Sequence, residues 1–242
     1  MAPRRTFAIQ LQPDGASCGP TCLQAIYRHW GDDLPLSDLI AQIPQLDDGG
    51  VLAVQLGCHA LRRGYRARIA TLNLQLFDPS WFGPQPVDLR AKLVEQSAAK
   101  RKRKLHFATE AYLEFLDLGG EVVMRDLTAA WLAEELQAEV PLLTGLSATW
   151  LYHSSRETGV QPVDDDVRGV PQGHFVVLFG WDAERRRVLV ADPERANPIS
   201  REPIYDVDEE RLIAAIHLGI LTYDANTLRI TPRYVTGAIA ER

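Results

Sequence analysis

Apolar residues recur at Cys22, Leu23, Ile26, Tyr27 and Trp30, the spacing of one buried helical face, so the chain from Cys18 to Trp30 predicts a helix. Pro20 suits its first turn, Ser17 the N-cap and Gly31 the C-terminal end. Before it, Phe7 to Gln12 reads as a short strand broken by Asp14-Gly15. Two further helices are expected: Leu36 to Ile43, stopped by Pro44, and Val51 to Arg63, after the turn Asp47-Asp48-Gly49-Gly50. Tyr65 to Leu76 has strand alternation around Ala67, Ile69 and Leu72. The polar block from Phe77 to Gly120 predicts helices at Val87 to Arg103 and Phe107 to Leu118.

In the second half, Glu121 to Met124 reads as a strand, Thr128 to Gln137 as a helix and Val140 to Leu146 as a buried strand. His153 to Gly173 is a long polar loop, of the kind usually either functional or disordered. Two apolar runs follow, His174 to Trp181 and Arg187 to Asp192, joined by Asp182-Ala183-Glu184-Arg185-Arg186, which is a hairpin signal. Phe175 to Phe179 is apolar on both faces, as in a central strand. A helix at Asp208 to His217 and strands at Ile220 to Tyr223 and Thr227 to Thr231 end the pattern. A helical front half feeding a largely antiparallel sheet is an α+β architecture. The chain reads as one domain over residues 1–242, with a helical insertion at 77–120 and a loop near the site at 153–173.

Composition narrows the function. With 46% hydrophobic and 24% charged residues in 242, disordered and coiled-coil readings fall away. A net charge of −6, from 26 basic and 32 acidic residues, opposes binding to nucleic acid or an anionic membrane. The longest apolar run, Phe175 to Trp181, is far shorter than the ~20 residues that span a bilayer. The first residues lack the apolar region of a secretory signal, and three cysteines make no disulfide framework, so a reducing, cytoplasmic setting is expected.

The chemistry concentrates in Gln12-Pro-Asp-Gly-Ala-Ser-Cys18-Gly-Pro-Thr-Cys22. A thiol at a helix N-terminus is favoured as thiolate by the dipole and the free N–H groups. Gly19 leaves room for a substrate backbone. The backbone N–H of Cys18 and the side-chain amide of Gln12 are two donors for an oxyanion. A cysteine nucleophile also needs an imidazole, and the imidazole needs an orienting group. If the hairpin turns near residues 183–185, His174 lies opposite 192–196 and Asp192 is at or beside the facing position. That pairs a base with its orienter.

The segments Gln12 to Cys22, Gly173-His174-Phe175-Val176-Val177-Leu178 and Ala191-Asp192-Pro193 strongly resemble the bacterial peptidases that cleave bacteriocin leaders after double glycines, members of the papain-like clan of cysteine peptidases. The resemblance runs from Phe7 to Pro193 with insertions. It implies Cys18 as nucleophile, His174 as base, Asp192 as orienter and Gln12 as oxyanion donor, in a papain-like fold with the nucleophile helix packed on the sheet. Those enzymes are usually fused to membrane-spanning and ATP-hydrolysing transporter parts. This chain has neither, which is similar to the stand-alone branch of the family, and double-glycine specificity does not carry over.

The expected function is thus cleavage of a peptide or amide bond in a peptide or protein substrate, with no cofactor and no metal. The alternatives are thiol-dependent acyl transfer on the same scaffold and a non-catalytic peptide-binding module. The blander readings are a core role for Cys22 and Cys58, His153 as a rival base, a solvated helix end for Lys100 to Lys104 and a flexible loop for Asp164-Asp165-Asp166, which lacks the spacing of an EF-hand.

Overall fold

A computed structural model describes residues 7–46, 49–85, 87–158, 163–195, 197–222 and 224–233. Helix α1 (Cys18–His29) is followed by α2 (Leu36–Gln42), α3 (Ala53–Arg62) and strand β1 (Tyr65–Thr71). A 3-10 turn (Pro79–Phe82) leads to α4 (Leu89–Ala99), α5 (Arg103–Asp117), β2 (Glu121–Met124) and α6 (Ala129–Gln137). Strand β3 (Leu142–Ser147) runs into the short α7 (Ala148–Tyr152), then the small strands β4 (Glu157–Thr158) and β5 (Val163–Asp164). The hairpin of β6 (Gly173–Asp182) and β7 (Arg187–Ala191) comes next, then β8 (Ile204–Asp208), α8 (Glu209–Leu218), a 3-10 turn (Gly219–Thr222) and β9 (Asn226–Pro232).

Seven strands make one sheet in the order β2-β1-β9-β3-β6-β7-β8, antiparallel throughout except for the parallel pair of β1 and β2. The α+β architecture expected from the sequence is the one observed. Strand β6 lies between β3 and β7, and its period of two divides the molecule into two cores. Phe175 and Val177 pack with Leu23, Ile26, Leu56 and Phe115 from α1, α3 and α5. Val176 and Leu178 pack with Leu132, Leu136, Leu212 and Ile216 from α6 and α8. Burial on both faces explains why the run carries no polar alternation. At about 1.5–3 kcal/mol for each large side chain buried, both cores stabilise this one strand.

The first turn of α1 sits close to the segment entering α3. A Cβ on Gly19 would come within 2.6 Å of the Val51 side chain, so only glycine permits this approach. One turn on, the Cys22 thiol donates to the Phe175 carbonyl at 3.2 Å and ties α1 to β6.

Several elements differ from the sequence reading. Residues 7–12 join no strand ladder; the Gln12 N–H donates instead to the Pro193 carbonyl at 2.9 Å. The helix expected over Val87 to Arg103 is split, α4 ending at Ala99 and α5 beginning at Arg103. A continuous helix would stack Lys100 on Lys104, a repulsion that the extended connector relieves. Arg101, Lys102 and Arg103 are exposed, as the solvated reading requires. The strand expected at Ile220 to Tyr223 is a 3-10 turn closed by the Asp224 N–H on the Gly219 carbonyl at 3.0 Å. The long loop carries the ribbon of β4 and β5 and a bridge between Glu157 and Val170. Asp47, Asp48, Tyr223 and the residues before Phe7 lie outside the described residues.

Candidate active site

The site begins at a turn. The Asp14 carboxylate accepts the Ser17 hydroxyl at 2.6 Å and the Ala16 N–H at 2.9 Å, and these bonds, the Ser17 one foremost, hold its carboxyl below the usual range. Ser17 occupies the N-cap position of α1 but spends its hydroxyl on Asp14, so the side-chain cap expected of it is absent. Cys18 is the first residue of α1 and is half-buried.

Strand β6 brings His174 to this helix end. Its Nε2 bonds Asp192 Oδ1 at 2.8 Å, and the ring lies within electrostatic reach of the Cys18 side chain. The register explains the pairing. Val177 stands opposite Ala191, which sets His174 and Asp192 as diagonal neighbours at the end of the hairpin. A bulge at Phe179 absorbs the one-residue shift toward the turn.

Asp192 is 0% exposed, yet its oxygens are fully occupied. Oδ1 also accepts the Glu194 N–H at 2.9 Å, and Oδ2 accepts the hydroxyls of Tyr152 and Tyr205, each at 2.7 Å. Burial alone would push the carboxyl up. The charge of His174 and these hydrogen bonds outweigh it and hold Asp192 below its ordinary value. Burial likewise opposes a charged imidazole, but Asp192, through charge and hydrogen bond, and Cys18 raise His174 well above the usual histidine range.

Gln12 reaches the same corner. Beyond its backbone bond to Pro193, its Nε2 donates to Glu194 Oε2 at 3.2 Å. The structure therefore gathers Cys18, His174 and Asp192 at one corner, with His174 bonded to Asp192, and attaches Gln12 to the residues just after Asp192.

The blander assignments also find their places. Cys22 and Cys58 are buried, and burial pushes both thiols up, that of Cys58 to about 11. His59 is bonded to Tyr27 and Gln42 at 2.8 and 3.1 Å. Among the described residues no group of three or more His, Cys, Asp or Glu is arranged to hold a metal ion. His153 is exposed at the end of α7 and packs edge-on against Trp150. A concavity of about 440 Å³ opens there, between Trp150, His153, Arg156, Pro171, Leu218 and Leu221. Asp165 closes its own turn by accepting the N–H groups of Val167 and Arg168.

Sequence reasoning missed Tyr152, Tyr205 and Glu194. Strand β8 was legible in the alternation of Tyr205 and Val207 with Asp206 and Asp208, and recognising it would have drawn attention to Tyr205. Nothing local marks Tyr152 as a partner of a residue 40 positions away.

No family model and no curated protein matches the chain. Among solved structures, it is similar to the peptidase domain of Streptococcus ComA, a bifunctional ABC transporter of a quorum-sensing pathway, at 13% identity, covering 94% of this chain and 100% of that one with a TM-score of 0.46. It is similar to a double-glycine-motif protease from an AMS/PCAT transporter, solved with its leader peptide, at 12% identity, 94% and 92% coverage and a TM-score of 0.44. A C39-like peptidase from Bacillus anthracis gives 14% identity, 94% and 96% coverage and a TM-score of 0.49.

Among the described residues no helix is long and apolar enough to cross a membrane.

Proposed function

We propose that this protein is a cysteine hydrolase that cleaves a peptide or amide bond through a thioester. The observation that carries the reading is His174, within electrostatic reach of Cys18 and bonded at 2.8 Å to the fully buried Asp192. His174, kept charged by Asp192, holds Cys18 as thiolate. The sulfur adds to the substrate carbonyl carbon, and the Cys18 N–H and the Gln12 amide receive the oxyanion. As the C–N bond breaks, His174 gives its proton to the leaving nitrogen, and the acyl group remains on sulfur. A water molecule then yields a proton to His174 and its hydroxyl to the acyl carbon, and departure of the sulfur releases the acid and restores the thiolate–imidazolium pair. A reducing, cytoplasmic setting suits a chain whose three thiols are all free.

Iodoacetamide labelling provides the test. At pH 5.5 it is expected to modify Cys18 stoichiometrically while Cys22 and Cys58 react slowly. Cys18→Ala should abolish turnover of a peptide library with an unchanged far-UV spectrum. Gln12→Ala should lower turnover by about 10²–10³ yet leave alkylation, which builds no oxyanion, at the parent rate. Equal, slow labelling of all three thiols, or full turnover by Cys18→Ala, rejects the reading. Added amines that divert the acyl group would make the reaction a transfer.

A further inference from the structure

The Asp192 carboxylate is divided between two tasks. Oδ1 faces the site, bonded to the His174 ring and the Glu194 N–H, while both bonds on Oδ2 come from phenols. The phenols come from two separate elements. Tyr152 is the last residue of α7, and Tyr205 lies in β8, opposite Val190 of β7. We propose, on the basis of the hydrolase reading above, that Tyr152 and Tyr205 are positioning residues whose hydroxyls clamp the Asp192 carboxylate in the orientation that turns His174 towards Cys18.

Three observations support a role beyond filling space. First, Asp192 is 0% exposed, so the donors that water would supply to a carboxylate have to come from the protein. Second, both phenols remain donors at any working pH, because burial and the Asp192 charge push their ionisation far up. Third, four donors use the acceptor capacity of the carboxylate fully and leave it no other rotation. The other ionisable groups at this corner are Cys22 from α1 and Glu194 after β7, and neither donates to Oδ2. Phenylalanine would fill the same volume at either position, so a space-filling role predicts that removing the hydroxyls changes nothing at the sulfur.

The hydroxyls favour the ionised carboxylate, so losing one is expected to raise its titration and losing both to raise it further. A protonated Asp192 no longer supports the charge of His174, and the reactivity of the Cys18 sulfur falls with it.

The experiment is the pH dependence of iodoacetamide alkylation at Cys18 in the full chain, for the parent, Tyr152→Phe, Tyr205→Phe, the double variant and Asp192→Asn, with thermal melts of each. The expected result is a stepwise upward move of the acid limb. On that acid limb the double variant should label at least about tenfold more slowly, while at pH 8 its rate should stay within about twofold of the parent. Asp192→Asn should instead pull the alkaline limb down. If the double variant does not fold, the two single variants carry the same comparison. Tyrosine variants that superimpose on the parent while Asp192→Asn shifts overturn the clamp and leave the hydrolase reading standing. A parent with no acid-range labelling and no response to Asp192→Asn overturns the hydrolase reading, and the clamp falls with it.

Discussion

Asp192 and Asp224 are both shut away from water, at 0% and 6% exposure, and they titrate in opposite directions. Asp192 accepts four hydrogen bonds and faces an imidazolium, and it is held below the ordinary carboxylate range. Asp224 accepts one long bond, 3.4 Å from the Ala53 N–H at the start of α3, with the charge of Lys104 as a weaker aid. There burial wins and pushes the carboxyl up to about 7. Burial is common to both, so it does not decide the charge state; the facing charge of His174 and the donors aimed at the oxygens do. A buried carboxylate kept charged by an imidazolium and four donors is a considerable investment of polar groups, and it is found where the proposed chemistry needs a fixed anion.

The largest expected effect breaks the well-served carboxylate. Asp192→Asn keeps the shape but supplies an N–H where an acceptor stood, so the ring of His174 loses its anion. Turnover at neutral pH should fall by roughly 10⁴, as for an orienting carboxylate in a catalytic triad. Because Asp192 raises His174, the imidazolium should then be lost at lower pH than in the parent, visible as an earlier alkaline decline in Cys18 alkylation. A variant with the parent's turnover would mean that this carboxylate only completes the fold.

The second break lies at the poorly served carboxyl and has the opposite sign for stability. Asp224 has its folded titration near 7 and an unfolded value near 3.8, so folding favours the protonated form. Its contribution is intact below pH 3.8 and is lost as the pH rises through about 7. Asp224→Asn keeps an acceptor for Ala53 and removes the cost of ionisation. It should stabilise the protein at pH 8 by up to about 4 kcal/mol and hardly at all at pH 4, as read from urea unfolding at both pH values. Equal shifts at the two pH values would show that the carboxyl is not titrating in the folded state.

Much of the Asp192 corner was readable in the sequence because it depends on local rules. A run of apolar residues on both faces marked β6 as central, and the short turn at 182–186 set which residues of β6 and β7 meet. Cys18 followed from helix periodicity with a proline and a glycine at its start. What escaped was non-local. Tyr152 meets Asp192 only because α7 folds back after β3, a five-residue helix too short to show a period. Residues 7–12 alternate like a strand, but among the described residues no partner strand pairs with them, so the reading of Gln12 as a strand residue failed while its position next to the Asp192 corner emerged from the Pro193 bond. Asp224 gave no signal at all, since one acidic residue between two expected strands reads as part of an exposed turn.

The smallest expected effect asks whether the two regions communicate. Gly145 in β3 pairs with Phe175, the neighbour of His174, and also abuts Asp224. A Cβ at Gly145 would lie 2.6 Å from the Asp224 Cβ, 2.8 Å from its Cγ and 3.0 Å from the Phe175 ring. Two of these atoms are fixed close to the backbone and cannot swing aside, so Gly145→Ala should cost about 1–3 kcal/mol in urea unfolding. Phe175 is fastened on its other side by the Cys22 bond to its carbonyl, and His174 is held by Asp192 rather than by the Phe175 ring. The alkylation profile of Cys18 should therefore keep its shape while the protein melts earlier. A shifted profile would mean that strain at Asp224 travels along β6 into the site, and the two carboxyl regions would then have to be treated as one.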